Sequence, residues 1–427
     1  MTSARLVALD ALVRIDDGAY AHIVLPAMLG STGLADRDRA FVTDLVYGSV
    51  RARRRIDDLL GRVVKRPLHR LDPPVRAALR LGAYQLIQGV PAHAALSETM
   101  AALAARSPRA RSFVNANLRA LTRLGPPWPE PEEEAVALSY PDWLIERFTT
   151  ELGAADAREA LAAMNEPGVV TLRPNPCRTS ADELETELQR AGVHVERGAL
   201  IRDALLVRGI GDPARLPAVR DGRATPQDQA SQAVVAALAA RPGDWVVDIA
   251  AAPGGKATAI GELVGDGVVV ACDIDAGRVR LVATAALRLG LTDVLPTVAD
   301  GRAMPARNQS FDRVLLDAPC SGLGVLRRRA DARWQLQPGA ITELAALQRE
   351  LFSSAAQLVR PGGVLVYSVC TLTAEETIAI DEWASVAWPD FVAHSPLSEP
   401  WVARGRGSLL LPQAAGTDGM YVLALTR

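Results

Sequence analysis

The sequence is poor in cysteine and histidine, and this scarcity argues against several kinds of site. It has 4 cysteines and 5 histidines in 427 residues, and no two cysteines form a CxxC pair. We therefore expect neither a disulfide framework nor a metal site. We also expect the protein to reside in a reducing compartment. It also has no apolar run of the roughly 20 residues that span a bilayer and no signal-peptide core at its start. These absences predict a cytoplasmic protein without membrane contact.

The sequence also lacks a strong net charge, which is −2 at pH 7. A nucleic acid partner would therefore be held by local patches rather than by the whole surface. Arginine is clustered in RARRR (51–55) and in LRRRADAR (326–333). Taken alone, each cluster is more often a solvated helix face or loop than a binding site.

The pattern of apolar residues divides the chain into three regions and a linker. Residues 1–125 repeat apolar positions every three or four residues, which predicts a compact bundle of five or more helices, one of them capped by Asp72. The proline-rich and acidic residues 126–135 predict a linker. Residues 136–225 predict a small α/β subdomain, and residues 226–427 a doubly wound, Rossmann-like parallel sheet.

Ligands of such sheets bind at the carboxyl ends of the strands, so the residues that follow each strand are candidate site residues. The predicted strands are WVVDIA, VVVACDI, VLPTVAD, FDRVLLDAP and VLVYSVC. The first is followed by Pro253, Gly254 and Gly255, a tight turn that lets a ligand approach the backbone at a helix start. Such a turn serves NAD, FAD and S-adenosylmethionine alike, but this one departs from the dinucleotide and Walker patterns. Lys256 suits a carboxylate such as that of a methionyl group.

Two acids follow the next two strands. Asp273 lies 18 residues after Gly255 (255 to 273), close to the spacing at which an acid binds ribose hydroxyls. Asp300 could accept a hydrogen bond from an adenine amino group. Either acid alone could equally be a turn or cap residue. Together with the glycine turn, they predict an adenosine-like ligand.

Cys320 and Cys370 follow the fourth and fifth strands, so we expect the two thiols near each other at the same edge of the sheet. We expect Cys177 and Cys272 to be inert, buried packing residues. A thiol at a strand end has a chemical use, because carbon 5 of cytosine becomes nucleophilic once a thiolate adds to carbon 6. One thiol would form the adduct, and a second could assist its release.

Six motifs resemble, in this order, the signatures of the RNA 5-methylcytosine methyltransferases of the NOL1/NOP2/Sun family: DIAAAPGGK, CDID, ADGR, LLDAPCSG, RRRADARW and YSVCTLTAEE. The segments ARLVALDALVRI, DRAFVTDLVYGSVR and LRLGAYQLI resemble a NusB-type RNA-binding domain. This fusion is characteristic of a bacterial cytosine methyltransferase of 16S ribosomal RNA. The resemblance implies a multi-domain protein, a NusB-like all-helical bundle followed by a Rossmann-like methyltransferase domain.

The resemblance also implies roles for individual residues. Cys370 would be the nucleophile and Cys320 the thiol that aids product release, with Asp317 reaching the target base. S-adenosylmethionine would be bound by a set of residues around the turn and the strand ends: Ala250, Ala251, Ala252, Pro253, Gly254, Gly255, Lys256, Asp273, Asp300 and Asp317. RNA would be contacted by four arginines: Arg327, Arg328, Arg329 and Arg333. The sequence departs from the family at Ala250, commonly cysteine, and at Val369, commonly threonine.

The expected partner is 16S ribosomal RNA or a small-subunit assembly intermediate, and we expect a monomer. Three alternatives stay open at this point. The same chemistry could act on transfer RNA or another RNA. A small-molecule or protein methyltransferase could share the cofactor pocket but would not need both thiols. A non-catalytic RNA-binding adaptor would need neither the thiols nor the turn at residues 253–256.

Overall fold

The computed structural model describes residues 3–427, which form two compact units. The helical unit contains the residues up to Asn165 together with Leu326–Leu336. The sheet unit contains Glu166–Val325 and Gln337–Arg427. Within the described residues, no helix combines the length and apolar character needed to cross a membrane.

The helices, in chain order, are α1 Ala4–Asp16, α2 Ala21–Gly30, α3 Asp36–Arg51, α4 Arg53–Gly61, α5 Pro73–Ile87, α6 Ala92–Ala104, α7 Arg111–Leu121, α8 Glu134–Leu138, α9 Asp142–Leu152, α10 Ala154–Ala163, α11 Ala181–Arg190, α12 Pro217–Arg220, α13 Gln229–Leu238, α14 Gly255–Gly261, α15 Ala276–Leu289, α16 Ala332–Gln335, α17 Pro338–Leu358, α18 Ile378–Ala387 and α19 Pro412–Ala415. The strands are β1 Val170–Pro174, β2 His194–Arg197, β3 Leu205–Arg208, β4 Ala224–Pro226, β5 Trp245–Asp248, β6 Val268–Asp273, β7 Val294–Val298, β8 Phe311–Asp317, β9 Val359–Val369, β10 Val392–Ala393, β11 Val402–Arg404, β12 Gly407–Leu410 and β13 Met420–Thr426.

The bundle predicted for the first region is present, with α5 at its centre. Most of α5, Val75 and residues 77–86, is buried, and the buried side chains include polar as well as apolar ones on all sides of the helix. Asp72 occupies the N-cap position of α5, but its side chain makes no capping hydrogen bond, so that part of the prediction is wrong. Prolines at the first turn still favour the start, since they need no backbone donor there.

Residues 326–336 complete the helical unit although they lie far along the chain. Ala330 is fully buried in the core of the bundle, and Trp334 packs against that core. The Trp334 indole nitrogen donates to the carbonyl of Val50 at 2.8 Å, and the backbone nitrogen of Ala21 donates to Asp331 at 3.2 Å. This arginine-rich segment is therefore an integral part of the helical unit.

The sheet unit contains two sheets. The small one is antiparallel with strand order β2-β3-β1-β4, as expected for an α/β subdomain. The large one has nine strands in the order β11-β12-β13-β9-β8-β5-β6-β7, with β10 paired to β13. Its strands β5 to β9 are parallel, as predicted, whereas β10 to β13 add an antiparallel edge that the sequence pattern did not predict.

The strand order positions the site. The chain runs outward from β5 through β6 to β7, then returns to the other side of β5 with β8 and β9. The carboxyl ends of β5 and β8 therefore meet at the point where the order reverses, which is where open α/β sheets bind ligands.

Candidate active site

The turn after β5 has the tight geometry expected from its sequence. Gly254 has φ +106°, a conformation that favours glycine, and its nitrogen donates to Ala251 at 2.7 Å. A Cβ atom at Gly254 would lie 3.1 Å from the Cα of Val282 on α15, so the turn packs closely against that helix. The segment that leads into this turn consists of Ala250, Ala251, Ala252 and Pro253. Helix α14 begins directly after the turn, at Gly255. The turn thus lies between the end of β5 and the first residue of α14.

The two predicted acids lie at the ends of β6 and β7, beside the turn. Asp273 is buried and accepts a hydrogen bond from the nitrogen of Asp275 at 3.1 Å. Asp300 is more exposed and caps the turn Gly301–Ala303 through the nitrogen of Arg302. Hydrogen bonds from the Arg302 side chain lower the pKa of Asp300 to about 2. Both acids and the glycine turn follow the adjacent strands β5, β6 and β7, an arrangement that fits an adenosine-like ligand.

Lys256 and Asp317 form an ion pair between α14 and the end of β8. The Lys256 Nζ lies 2.6 Å from Asp317 Oδ2, and Ser368 on β9 donates to Asp317 Oδ1 at 2.8 Å. Burial alone would lower the pKa of Lys256, but the Asp317 carboxylate more than offsets it, so that pKa lies above its usual value. An ammonium group has three N–H donors, and the contact with Asp317 does not use all of them. The others could bind a cofactor carboxylate.

The two thiols predicted to be neighbours are brought together. Cys320 Sγ and Cys370 Sγ are 3.3 Å apart, and both residues are partly exposed. The hydrogen bond with Cys370, followed by burial, raises the pKa of Cys320 well above its usual value. Cys320 is therefore a neutral thiol at physiological pH, able to hold a proton beside Cys370.

The other two cysteines differ from each other. Cys272 is buried, and burial raises its pKa to about 12, which fits the packing role predicted for it. Cys177 is exposed, so the prediction that it is buried is wrong. It lies in the turn after β1, where its nitrogen is bonded to Asn175 at 3.0 Å.

Val369 precedes Cys370 but does not share its face of β9. Val364, Val366 and Cys370 pack into one apolar cluster, as the two-residue period of a strand requires, whereas Val369 is not part of it. Val369 is fully buried and pairs with Tyr421 of β13. The departure from the family threonine thus changes the core behind the strand.

Asp248 is a site residue that the sequence reasoning missed. It ends β5, its carboxyl is fully buried, and burial followed by the charge of Asp317 raises its pKa to about 8. The signal that could have revealed it is an acid at the end of an otherwise apolar strand, directly before the glycine turn.

The four arginines predicted to contact RNA have different environments. Arg333 is fully buried: it lies 3.9 Å from the centre of the Tyr140 ring and donates to Asn165 at 2.8 Å. Burial lowers the pKa of Arg333 to about 10. Arg327 is also buried, whereas Arg328 is partly exposed and Arg329 is exposed. Arg327 and Arg333 are therefore withdrawn from the surface that RNA could reach.

Metal binding has no candidate site in the part of the chain that the structure describes. Among residues 3–427, no group of three His, Cys, Asp or Glu side chains is arranged to hold an ion. The expectation of a metal-free protein stays a prediction.

Comparisons with known proteins agree over the whole chain. Residues 235–426 match the 16S rRNA methyltransferase RsmB/F family, residues 2–123 the NusB family, and residues 140–212 the ferredoxin-like domain of RsmF/B-like methyltransferases. The chain is 33% identical to the probable ribosomal RNA small subunit methyltransferase B of Bacillus subtilis, covering 100% of this chain and 99% of the relative. It is 34% identical to ribosomal RNA small subunit methyltransferase B of Thermus thermophilus, covering 99% and 97%.

Solved structures show the same likeness. The protein PH0851 superposes with a TM-score of 0.86 at 26% identity, covering 100% of this chain and 99% of that one. A methyltransferase homologue from Pyrococcus horikoshii superposes with a TM-score of 0.60 at 27% identity, covering 68% and 96%. The chain therefore belongs to the RsmB/Sun family of S-adenosylmethionine-dependent ribosomal RNA methyltransferases.

Proposed function

We propose that the protein forms 5-methylcytosine in 16S ribosomal RNA through a covalent adduct between Cys370 and carbon 6 of the target cytosine. The observation that carries this proposal is the Cys320–Cys370 pair, 3.3 Å apart, on the strand ends next to the Lys256–Asp317 ion pair. A methyltransferase that modified an oxygen or an amino nitrogen would have no use for two adjoining thiols. Carbon 5 of cytosine, by contrast, needs a nucleophile at carbon 6.

The chemistry divides between the two thiols. The Cys370 thiolate would add to carbon 6, which makes carbon 5 nucleophilic. Carbon 5 would then take the methyl group of S-adenosylmethionine, with the methyl–sulfonium bond breaking and S-adenosylhomocysteine leaving. A base removes the proton from carbon 5, the bond from sulfur to carbon 6 breaks, and Cys370 leaves as a thiolate. Because Cys320 stays protonated beside it, Cys320 is suited to proton transfer during release.

Asp317 is proposed to act on the base itself. A carboxyl hydrogen-bonded near N3 and N4 of cytosine favours addition at carbon 6. Lys256 and Ser368 hold that carboxyl from two sides, which fixes its direction. The segment of residues 250–256, with Asp273, Asp300 and Asp317, is proposed to bind the cofactor.

The target cytosine must leave its stack to reach the thiol, so we propose an unpaired or loop nucleotide as substrate. The helical unit would hold the neighbouring RNA through phosphates. On α7 the buried residues Val114 and Leu118 face the core, and Arg111 and Arg119 are exposed on the outer face. We propose this face, with Arg328 and Arg329, as the RNA contact. With ribosomal RNA as substrate, the reaction would take place in the cytoplasm.

The test of the mechanism uses two single variants. Cys370→Ala should abolish methyl transfer to cytosine and leave S-adenosylmethionine binding intact. Cys320→Ala should let a covalent protein–RNA adduct accumulate, visible on a denaturing gel, because release is slowed. Full activity of Cys370→Ala would refute the nucleophile assignment. Exposed Cys177→Ser is the matched control and should behave as the unaltered protein.

The test of the substrate is bisulfite mapping of RNA from cells with and without the gene. We expect one cytosine of 16S ribosomal RNA to lose its methyl group in the deletion strain. Loss confined to transfer RNA would replace the ribosomal substrate with the transfer RNA alternative. No lost methyl group in either RNA, with purified protein also inactive, would favour the non-catalytic adaptor.

A further inference from the structure

A fully buried carboxyl group, that of Glu376, lies between the two loops that carry the thiols. Glu376 ends the short turn Ala374–Glu376, six residues after Cys370. Its side chain is 0% exposed. A buried carboxyl needs hydrogen-bond donors, because burial without them is strongly unfavourable. The donors around Glu376 come mostly from other segments.

Both oxygens of Glu376 are fully engaged. Oε1 accepts from the backbone nitrogen of Ser321 at 2.8 Å and from Gln348 at 3.0 Å. Oε2 accepts from the hydroxyl groups of Ser321, at 2.5 Å, and Thr373, at 2.8 Å. We call this set, with Thr371, the Glu376 network.

The network holds the residues on both sides of Cys320. Ser321 directly follows Cys320 and gives both its backbone and its side-chain donor to Glu376. Pro319 directly precedes Cys320, and its carbonyl accepts from Gln348 at 2.9 Å. Gln348 is itself fully buried on α17 and reaches Glu376 with the same amide group. The loop after β8 is therefore fixed before and after its thiol.

The network also holds the loop of Cys370. Thr371 directly follows Cys370, and its hydroxyl lies 2.8 Å from that of Ser321. The Cys370 carbonyl accepts from the nitrogen of Gly324 at 2.9 Å. A Cβ atom at Gly324 would lie 3.0 Å from that carbonyl oxygen and 2.3 Å from the carbonyl oxygen of Gly419, so only glycine fits this close approach. Each thiol is thus followed by a hydroxyl, and the two hydroxyls meet beside one carboxyl group.

We propose that Glu376 is a positioning residue that sets the separation of the Cys320 and Cys370 sulfurs and so controls release of the methylated RNA. The proposal rests on the proposed covalent mechanism. Glu376 touches neither sulfur; it acts by joining the two loops on which they lie. Formation of the adduct needs only Cys370, whereas release needs Cys320 within hydrogen-bond distance of it. A longer sulfur–sulfur distance should therefore slow release more than addition.

The first experiment measures sulfur proximity without RNA, in the full chain carrying Cys177→Ser. Diamide takes one hydrogen from each thiol, forming the sulfur–sulfur bond and becoming the corresponding hydrazine. The rate is followed by peptide mass spectrometry as loss of two hydrogens from the Cys320–Cys370 pair. We expect Glu376→Asp, whose shorter side chain cannot span both loops, to slow the reaction at least about 10-fold. Glu376→Gln should stay within about 2-fold, because the hydroxyls of Ser321 and Thr373 can turn and accept from the amide.

Two further variants keep the test decisive. Thr371→Val removes the hydroxyl contacts with Ser321 and, at 3.4 Å, with Thr373, and it should slow disulfide formation about 3-fold even if Glu376→Asp fails to fold. Glu382→Gln, exposed on α18, is the matched control and should have no effect. Circular dichroism verifies the fold of each variant. Oxidation of a folded Glu376→Asp protein at the unaltered rate would overturn the proposal, as would an unaltered rate in Thr371→Val.

The second experiment adds RNA. Glu376→Asp should accumulate the denaturation-resistant adduct, as Cys320→Ala does, while Glu376→Gln should turn over normally. An oxidation defect with no adduct in any variant, including Cys320→Ala, would refute the covalent function but leave the positioning role standing. An adduct in Cys320→Ala with rapid release in a folded, slowly oxidised Glu376→Asp would refute the link between sulfur separation and release.

Discussion

Lysine occurs in this sequence only at positions 65 and 256, while every other basic side chain apart from histidine is arginine. An ammonium is a compact point charge, whereas a guanidinium is a planar fork that needs more room. Lys256 uses that compactness, because it is largely buried while its Nζ contacts Asp317 at 2.6 Å. We therefore predict that the site depends on the compact shape of lysine at this buried position.

Exchange of the two lysines tests that requirement. Lys256→Arg should lower methyl transfer by about 10²-fold, a typical loss when a preorganised charged group is displaced, because the fork would push Asp317 out of place. Lys65→Arg, exposed in the helical unit, should retain full activity. The measurement is methyl incorporation into RNA under single-turnover conditions. Equal activity of the two variants would contradict a shape requirement at position 256.

Asp248 predicts a pH dependence of stability. Its pKa is raised to about 8 from 3.8, so between these values the folded protein holds a proton that the unfolded chain has lost. The free energy of unfolding therefore falls as pH rises through this window, by about 1.4 kcal/mol for each pKa unit. Asp248→Asn removes the carboxyl group that takes up this proton. The free energy of unfolding of the variant, relative to that of the unaltered protein, should therefore increase from pH 5 to pH 9.

Urea denaturation at each pH measures this difference. Asp266→Asn changes an exposed loop residue and should give a curve parallel to that of the unaltered protein. A parallel curve for Asp248→Asn as well would show that Asp248 does not hold the extra proton.

Among the elements, α7 presents exposed arginines along one face. Arg111, Asn115, Arg119 and Arg123 recur at four-residue intervals, which places them along one side of the helix and its end. Phe113 is 36% exposed on the same helix and offers a surface for stacking. The element thus combines charge with an apolar surface.

Neutralising this face should weaken RNA binding in a salt-dependent way. The double variant Arg111→Gln/Arg119→Gln should lower affinity and reduce the slope of log K against log salt by about 1 for each phosphate that is no longer bound. Arg190→Gln, an exposed arginine at the end of α11, is the control. Filter binding at several salt concentrations measures both slopes, and identical slopes would exclude α7 from the RNA-binding surface.

The elements also show which parts of the fold could be predicted. The strands β5 to β9 carry runs of β-branched residues and alternate with helices, so their type and their parallel direction follow from pattern and spacing. The short strand β2, HVER, has one buried residue and escapes such reasoning. Helix α2 contains Pro26, which argues against a helix interior, yet the helix continues through it.

At the site, residues that directly follow a predicted strand were identifiable, whereas residues defined by burial were not. Cys320 and Cys370 were expected to meet because parallel strands end at one edge. Glu376 reads in the sequence as one of two adjacent acids in a loop, TAEE. Its proposed role depends on hydrogen-bond donors on α17 and on the loop after β8. These donors come close to Glu376 only in the folded protein. The same holds for Arg333. The charged segment suggested that it contacts RNA, but the side chain is buried in the folded protein.

On the scale of the whole molecule, the helical unit is made of two stretches that are distant in sequence. Trp334 belongs to the second stretch and packs against the core of the first. Trp334→Ala should lower the free energy of unfolding of this unit by about 2 to 4 kcal/mol, since it removes a large side chain from a packed position. Chemical denaturation followed by circular dichroism measures it.

Trp245→Ala is the control, because Trp245 is 55% exposed on β5. It should cost clearly less than Trp334→Ala. Equal losses would show that residues 326–336 add little to the stability of the bundle.

The division of the helical unit also imposes a delay on its synthesis. Residues up to Asn165 leave the ribosome about 160 residues before Leu326–Leu336 follow (165 to 326). At 5–20 residues per second, the nascent bundle waits on the order of 10 s for Ala330 and Trp334 to fill its core. During that interval its unfilled apolar surface is open to chaperones, and the helical unit reaches its final form only after the loop bearing Cys320 has been made.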